Sequence, residues 1–245
     1  IVLPEKCKEV KVSNITQKTE PAKLVSENSN TQKYQLSNGA TLLLTPNRVN
    51  DIIAISIFAK GGEFIEHIPG TADLMAAVLT KGSKKYSSVE FAQTMEDNGI
   101  KIVPSAKADS FNMTVLTTKN DYEKTLELLN EIINNATLDE FEIEKAKNDE
   151  LNSIKKSKDV PLNLAVDNYK ALIFEGSPYS YSNNILEKNL PRVTKNDVKN
   201  YYDKVFYPQN VVISINGNVD KETTIAELTN IFNNKKGEKF DYNKH

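Results

Sequence analysis

The chain has 245 residues, 39% hydrophobic and 26% charged, the balance of an ordinary globular fold of one large domain or two small ones. A formal net charge of -2 supplies no field for nucleic acid or an anionic membrane surface, and the longest apolar runs, such as residues 74–79, are too short to span a bilayer. Cys7 is the only cysteine, which excludes an internal disulfide and any zinc site built from several thiolates.

The chain begins at Ile1 rather than Met, without a signal-peptide pattern, and reads as a piece of something longer. One thiol does not fix a compartment; a periplasmic or other non-cytosolic one stays open. Residues 1–32 are polar and lack sustained periodicity. They read as an interdomain linker or an arm lying on a neighbouring surface, with Val10, Val12 and Ile15 as a candidate short strand. A domain over residues 33–235 follows, and residues 236–245 read as a polar tail that frays.

Within the domain, Asn38-Gly39 between apolar runs predicts a tight hairpin turn. Residues 52–60 form a β-branched strand with Ile53, Ile55 and Ile57 on one face, ended by Gly61-Gly62. Residues 71–80 read as an apolar helix stopped by Gly82, and Ser87 to Glu90 offers a capping box for a second helix through Asp97. Strands over 101–106 and 110–117 come next. Asp121 caps a helix with Leu126, Leu129, Ile132 and Ile133 inward, and Asp139 opens a longer one to about residue 156. Pro161 stands at the first position of a helix to Phe174. Thr194 starts another helix, residues 211–216 are a buried strand, and the last amphipathic helix turns Ile225, Leu228, Ile231 and Phe232 inward. Strands and helices mix, which predicts an α+β fold: a mixed, mainly antiparallel sheet covered by helices.

Several segments carry a resemblance. They are Leu36 to Ala40, Lys60 to Glu63 followed by Gly70-Thr71-Ala72, Lys81-Gly82-Ser83, and Phe206 to Asp220. In this order and spacing, over residues 33–234, the chain resembles a domain of the insulinase-type (M16) metallopeptidases, whose fold is that of the mitochondrial processing peptidase. Active members carry an HxxEH motif, with two histidines on one helical face to hold zinc and a glutamate to activate the bound water. Aligning on the flanking glycine segments puts the first histidine at Asp73, the glutamate at Ala76 and the second histidine at Ala77. The third ligand of the family falls at Glu150. The resemblance therefore implies no catalytic residue and no metal in this chain. Independently, the two histidines, His67 and His245, lie far apart in the sequence.

Other constellations read as structure. Glu63, Glu66 and His67 superficially suggest a metal motif but read as a solvated acidic loop. An Asp73–Glu150 pair would suit Ca²⁺ or Mg²⁺, or share a proton; the plainer reading has Asp73 as a polar helix residue and Ala76 and Ala77 filling the former site. Ser153, Ser180 and Ser182 lack a neighbouring histidine, and Cys7 lacks a base. Tyr179, Tyr181, Tyr201, Tyr202 and Tyr207 read as packing. By resemblance, the strand over 101–106 is the one that pairs with extended substrate in active domains, which makes Val103, Ser105 and Ala106 the candidate peptide edge, interrupted by Pro104.

The resemblance implies an inactive M16 domain that helps form the peptide-binding chamber of a larger zinc metallopeptidase assembly. The partner is a catalytic M16 domain or subunit, in cis or in trans, and that partner holds the zinc. The alternative is a structural or assembly subunit of the same fold that handles no peptide.

Overall fold

The structure, a computed structural model, describes residues 22–244. Cys7, the candidate strand around Val10 to Ile15, and His245 lie outside the described residues. The described chain forms one sheet of seven strands in the order β1-β2-β3-β7-β4-β6-β5. The strands are β1 (Lys23–Asn28), β2 (Thr31–Gln35), β3 (Thr41–Pro46), β4 (Ile52–Lys60), β5 (Lys101–Ala106), β6 (Ser110–Thr118) and β7 (Val211–Gly217). The helices are α1 (Thr71–Val78), α2 (Ser88–Asp97), α3 (Tyr122–Asn135), α4 (Glu140–Lys158), α5 (Pro161–Ile173), α6 (Asn183–Asn189), α7 (Lys195–Val205) and α8 (Lys221–Phe232).

Each central strand alternates. Ile53, Ile55 and Ile57 of β4 register with Ile213 and Ile215 of β7 and with Met113 and Val115 of β6, and all are buried. The helices cover this face. Ala54 and Ser56, Thr114 and Leu116, and Asn216 occupy the other face, half-buried or exposed. Antiparallel pairing dominates; β3 and β7 run parallel, because the last strand inserts at the centre of the sheet between β3 and β4. The α+β expectation holds, and the late strand that stood alone in the sequence is the middle of the sheet.

Local signals act as expected in most places. Gly39 takes positive φ (96°) in the β2–β3 turn, while the Asn38 side chain accepts from Ala40 N–H at 2.9 Å. Capping boxes form at Ser87/Glu90 and Thr194/Asp197. Asp121 stands at the start of α3 but does not cap it; its carboxylate accepts from the Thr118 hydroxyl at 2.5 Å.

Three further features differ from the sequence reading. Strand β1 falls inside the stretch read as linker: all six of its residues are exposed, so it has no buried face and left no periodic signal. Helix α6, capped by Ser182, was hidden among polar residues. The tail past Lys235 is anchored rather than frayed, because Phe240 is buried against Phe64 and Tyr242, and Asn210 bonds the backbone of Glu238 and Phe240.

Candidate functional site

Helix α1 is positioned from its N-terminal side. β4 runs into Gly61 and Gly62, both with positive φ. A Cβ on Gly62 would lie 2.1 Å from the Lys107 carbonyl oxygen and 2.3 Å from the Ser110 nitrogen, so this turn reaches the β5–β6 hairpin only as glycine. Gly61, Glu63 and Phe64 donate their N–H groups to the Asp109, Lys107 and Ala108 carbonyls at 2.8, 3.0 and 3.1 Å. The buried Tyr201 hydroxyl donates to the Gly62 carbonyl at 3.1 Å, which ties α7 to the same turn.

The helix begins after Gly70, a left-handed residue with no side chain to cap it. Glu66 supplies the cap from outside: its two carboxylate oxygens accept from Gly70 N–H at 3.1 Å and Ala72 N–H at 2.7 Å. The loop read as solvated is therefore part of the helix terminus. Burial pushes Glu66 up to about 8 against the pull of those two donors, and the charges of Glu63 and Asp73 add to the rise. Burial also lifts Glu63 to about 7, with Asp73 and Asp109 adding to it and Lys170 opposing. A glycine at the cap position is the sequence signal that an upstream acid was needed. His67 is exposed.

Asp73 is pushed up to about 6, by burial first and then by Glu150, so the structure brings these two carboxylates into each other's field between α1 and α4. Ala76 is buried. Ala77 is exposed and, with Glu150, lines a cavity of about 250 Å³ whose walls also carry Lys81, Glu142, Lys145 and Asp149. Ala77 thus leaves space in front of Glu150 rather than filling it. The donor set does not fit zinc of the family type, which needs two imidazoles on the helix face beside the carboxylate. The Asp73–Glu150 pair also falls short of the six to eight oxygens that Ca²⁺ collects. Among the described residues, no group of three or more His, Cys, Asp or Glu side chains is placed to hold a metal ion.

The free edge of the sheet beside α1 is β5. Lys107 and Ser110 exchange both backbone hydrogen bonds, and the register runs without a break from there to Lys101–Leu116. Alternation then turns the backbone groups of Val103 and Ser105 toward β6, and those of Ile102, Pro104 and Ala106 toward the open edge. Of the three candidate edge residues, only Ala106 offers its backbone outward; Val103 and Ser105 present exposed side chains instead. Pro104 sits where its missing N–H costs the β5–β6 ladder nothing.

Tyr201 and Tyr202 are buried, and the Tyr202 hydroxyl donates to the Ile132 carbonyl at 3.0 Å, so this part of the tyrosine cluster is packing. Tyr179 meets Phe64 edge-on near the α1 turn. Ser182 caps α6, and the Ser180 hydroxyl donates to the Ser177 carbonyl.

Comparison with known proteins gives a consistent picture. The profile of the Insulinase (Peptidase family M16) family matches residues 42–184. An uncharacterized zinc protease of Rickettsia felis is 24% identical over 89% of this chain and 53% of its own length. The non-peptidase homolog YmxG of Helicobacter pylori is 23% identical over 67% of this chain and 38% of its own. The crystal structure of a peptidase M16 inactive domain from Pseudomonas fluorescens superposes with a TM-score of 0.81 and 21% identity, covering 87% of this chain and 53% of that one. The chain spans about half the length, or less, of these matches. Among the described residues, no helix is long and apolar enough to cross a membrane.

Proposed function

This chain belongs to the insulinase family of peptidases, M16, and from that premise we propose that it is a catalytically inactive M16 domain forming part of the peptide-binding chamber of a larger zinc metallopeptidase assembly. The α1 face carries the reading. Asp73, Ala76 and Ala77 stand where the family resemblance expects two histidines and a glutamate, and Glu150 alone retains a matching ligand type. No residue here activates a water, so the zinc and the chemistry belong to a companion M16 domain, on the same chain or on a partner.

The role of this domain is to hold extended peptide beside that centre. The open edge of β5 suits such a role, with N–H donors at Ile102 and Ala106 and carbonyl acceptors at Ile102, Pro104 and Ala106. The similarity to relatives described as zinc protease and as non-peptidase homolog supports a family context with lost chemistry.

Metal analysis of the purified chain after incubation with zinc, paired with a peptide-cleavage assay, tests the first half. The expected result is no stoichiometric zinc and no turnover. The triple substitution Asp73→His, Ala76→Glu and Ala77→His is expected to create zinc binding that Glu150→Gln removes again. A tight zinc site in the unaltered chain, abolished by Asp73→Ala, would sink the reading. For the second half, Ala106→Pro removes one outward donor and is expected to weaken peptide binding by the complete assembly with its catalytic partner inactivated. An assembly that binds no peptide, and does not respond to Ala106→Pro, leaves this domain a structural subunit of the same fold.

A further inference from the structure

Helix α5 is the least explained element of the described chain. It has 13 residues and buries none of them. It rests on α4 and on the short turn Pro178–Ser180. Asp167 binds it to the next segment by accepting from the Asn183 N–H at 2.9 and 3.1 Å.

The pattern of its apolar residues is not that of a helix lying on its own core. Leu162, Val166, Tyr169 and Ile173 are spaced four, three and four residues apart, which places them in one line along the helix, with Leu172 beside them. Asp167 and Ala171, on the other side, are half-buried toward the rest of the domain. The apolar line therefore points outward, and its five side chains are between 44% and 78% exposed. Together they present on the order of 600 Å² of surface, the upper end of the largest apolar patch on a typical monomer. A seam with alternating spacings of four and three suits another helix rather than an extended peptide, whose anchors recur every second residue.

We propose that α5 is the contact helix of a dimer of this chain, in which two copies lay the same seam against each other, antiparallel across a two-fold axis. Two such patches bury on the order of 1,200 Å², the lower bound of stable specific interfaces. A two-fold contact needs a self-complementary surface, and this one qualifies. The seam is centred between Asp167 and Asn168, so the axis sets Lys170 opposite Ala165 of the other copy instead of opposite itself. Asp167 faces away from the seam and is already bonded to Asn183. Within α5, then, no like charges are set opposite one another. This goes beyond the chamber reading and does not depend on it, because neither zinc nor peptide enters the argument.

Sedimentation or light scattering over a concentration series tests it. The unaltered chain is expected to approach twice the mass of one 27.5 kDa chain as concentration rises. The double substitution Leu162→Asp and Ile173→Asp is expected to return the mass to that of one chain, with the melting temperature of the unaltered chain at a dilution where it is monomeric, because both positions are exposed within one copy. Leu116→Asp, at an exposed apolar residue on the sheet, is expected to leave the dimer intact. A chain that is monomeric throughout, a dimer that survives the double substitution, or a monomer that binds phosphatidylcholine vesicles through α5 would each overturn the proposal.

Discussion

Helices α1 and α5 are made of similar apolar material and end in opposite surroundings. α1 buries Thr71, Ala72, Leu74, Met75, Ala76 and Val78 against α4, α7 and β5, and even its missing cap is supplied by Glu66 from the preceding loop. α5, longer and just as rich in Leu, Val and Ile, buries nothing. An apolar helix pattern states that a face will be covered; it does not state by what. For α1 the cover is the chain itself. For α5 it is the second copy proposed above.

The largest effect that tests this contrast is side-chain truncation. Leu74→Ala removes a fully packed side chain and is expected to cost about 2–5 kcal/mol in urea denaturation. Leu162→Ala, measured at a dilution where the chain is monomeric, is expected to change stability by less than about 0.5 kcal/mol. Equal losses at both sites would mean that α5 packs on its own domain, and the comparison would break.

A smaller effect separates the two helices by pH. Glu66, Glu63 and Asp73, held up at about 8, about 7 and about 6, cluster at the α1 terminus. Each is raised above its unfolded value, so the folded chain keeps protons that the unfolded chain has lost. That contribution is fully present below the ordinary carboxylate range and is lost as pH rises through the folded values. The melting temperature is expected to fall between about pH 5 and about pH 8, and Glu66→Gln is expected to flatten the slope. Glu127, held down to about 2 by Lys124 and Lys85, acts oppositely but in the acid range, outside that window. Substitutions along the α5 seam are expected to leave the slope unchanged. A melting curve that rises over this window, or that ignores Glu66, would count against the cluster.

These contrasts also mark what was legible in the sequence. Strands with one buried face, such as Ile53-Ile55-Ile57, and helices with local caps, such as Ser87 with Glu90, were readable because the signal lies within a few residues. β1 and α6 were not, since neither buries a periodic apolar face of its own. At the site, the assignment of Asp73, Ala76, Ala77 and Glu150 rests on the family spacing alone, and the fold sets Asp73 near Glu150 across α1 and α4. Glu66 was missed because its role depends on the path of residues 66–72, which brings an acid back onto N–H groups that a glycine leaves uncapped. The outward phase of β5 was also hidden: it is set by the Lys107–Ser110 hydrogen bonds at the hairpin end, and no residue within the strand announces it.

That phase yields the smallest predicted effect. Strand β5 packs beside α1, yet among the described residues no strand pairs with its outer backbone. Pro104 points its nitrogen outward, so Pro104→Ala adds an amide that no strand among the described residues accepts. Stability is then expected to change by less than about 0.5 kcal/mol, and the new amide is expected to exchange with solvent as fast as an unprotected one, while the Val103 amide beside it stays protected by β6. Protection at residue 104 and rapid exchange at 103 would reverse the register and move the open donors to Val103 and Ser105. Because peptide added to this edge pairs through the outward groups alone, the same measurement decides which backbone atoms a bound strand would meet. Pro104, centred between the two outward donors, leaves a gap at the middle of the edge. That gap limits edge-to-edge pairing between copies of this chain, and its removal in Pro104→Ala is expected to strengthen peptide addition rather than weaken it.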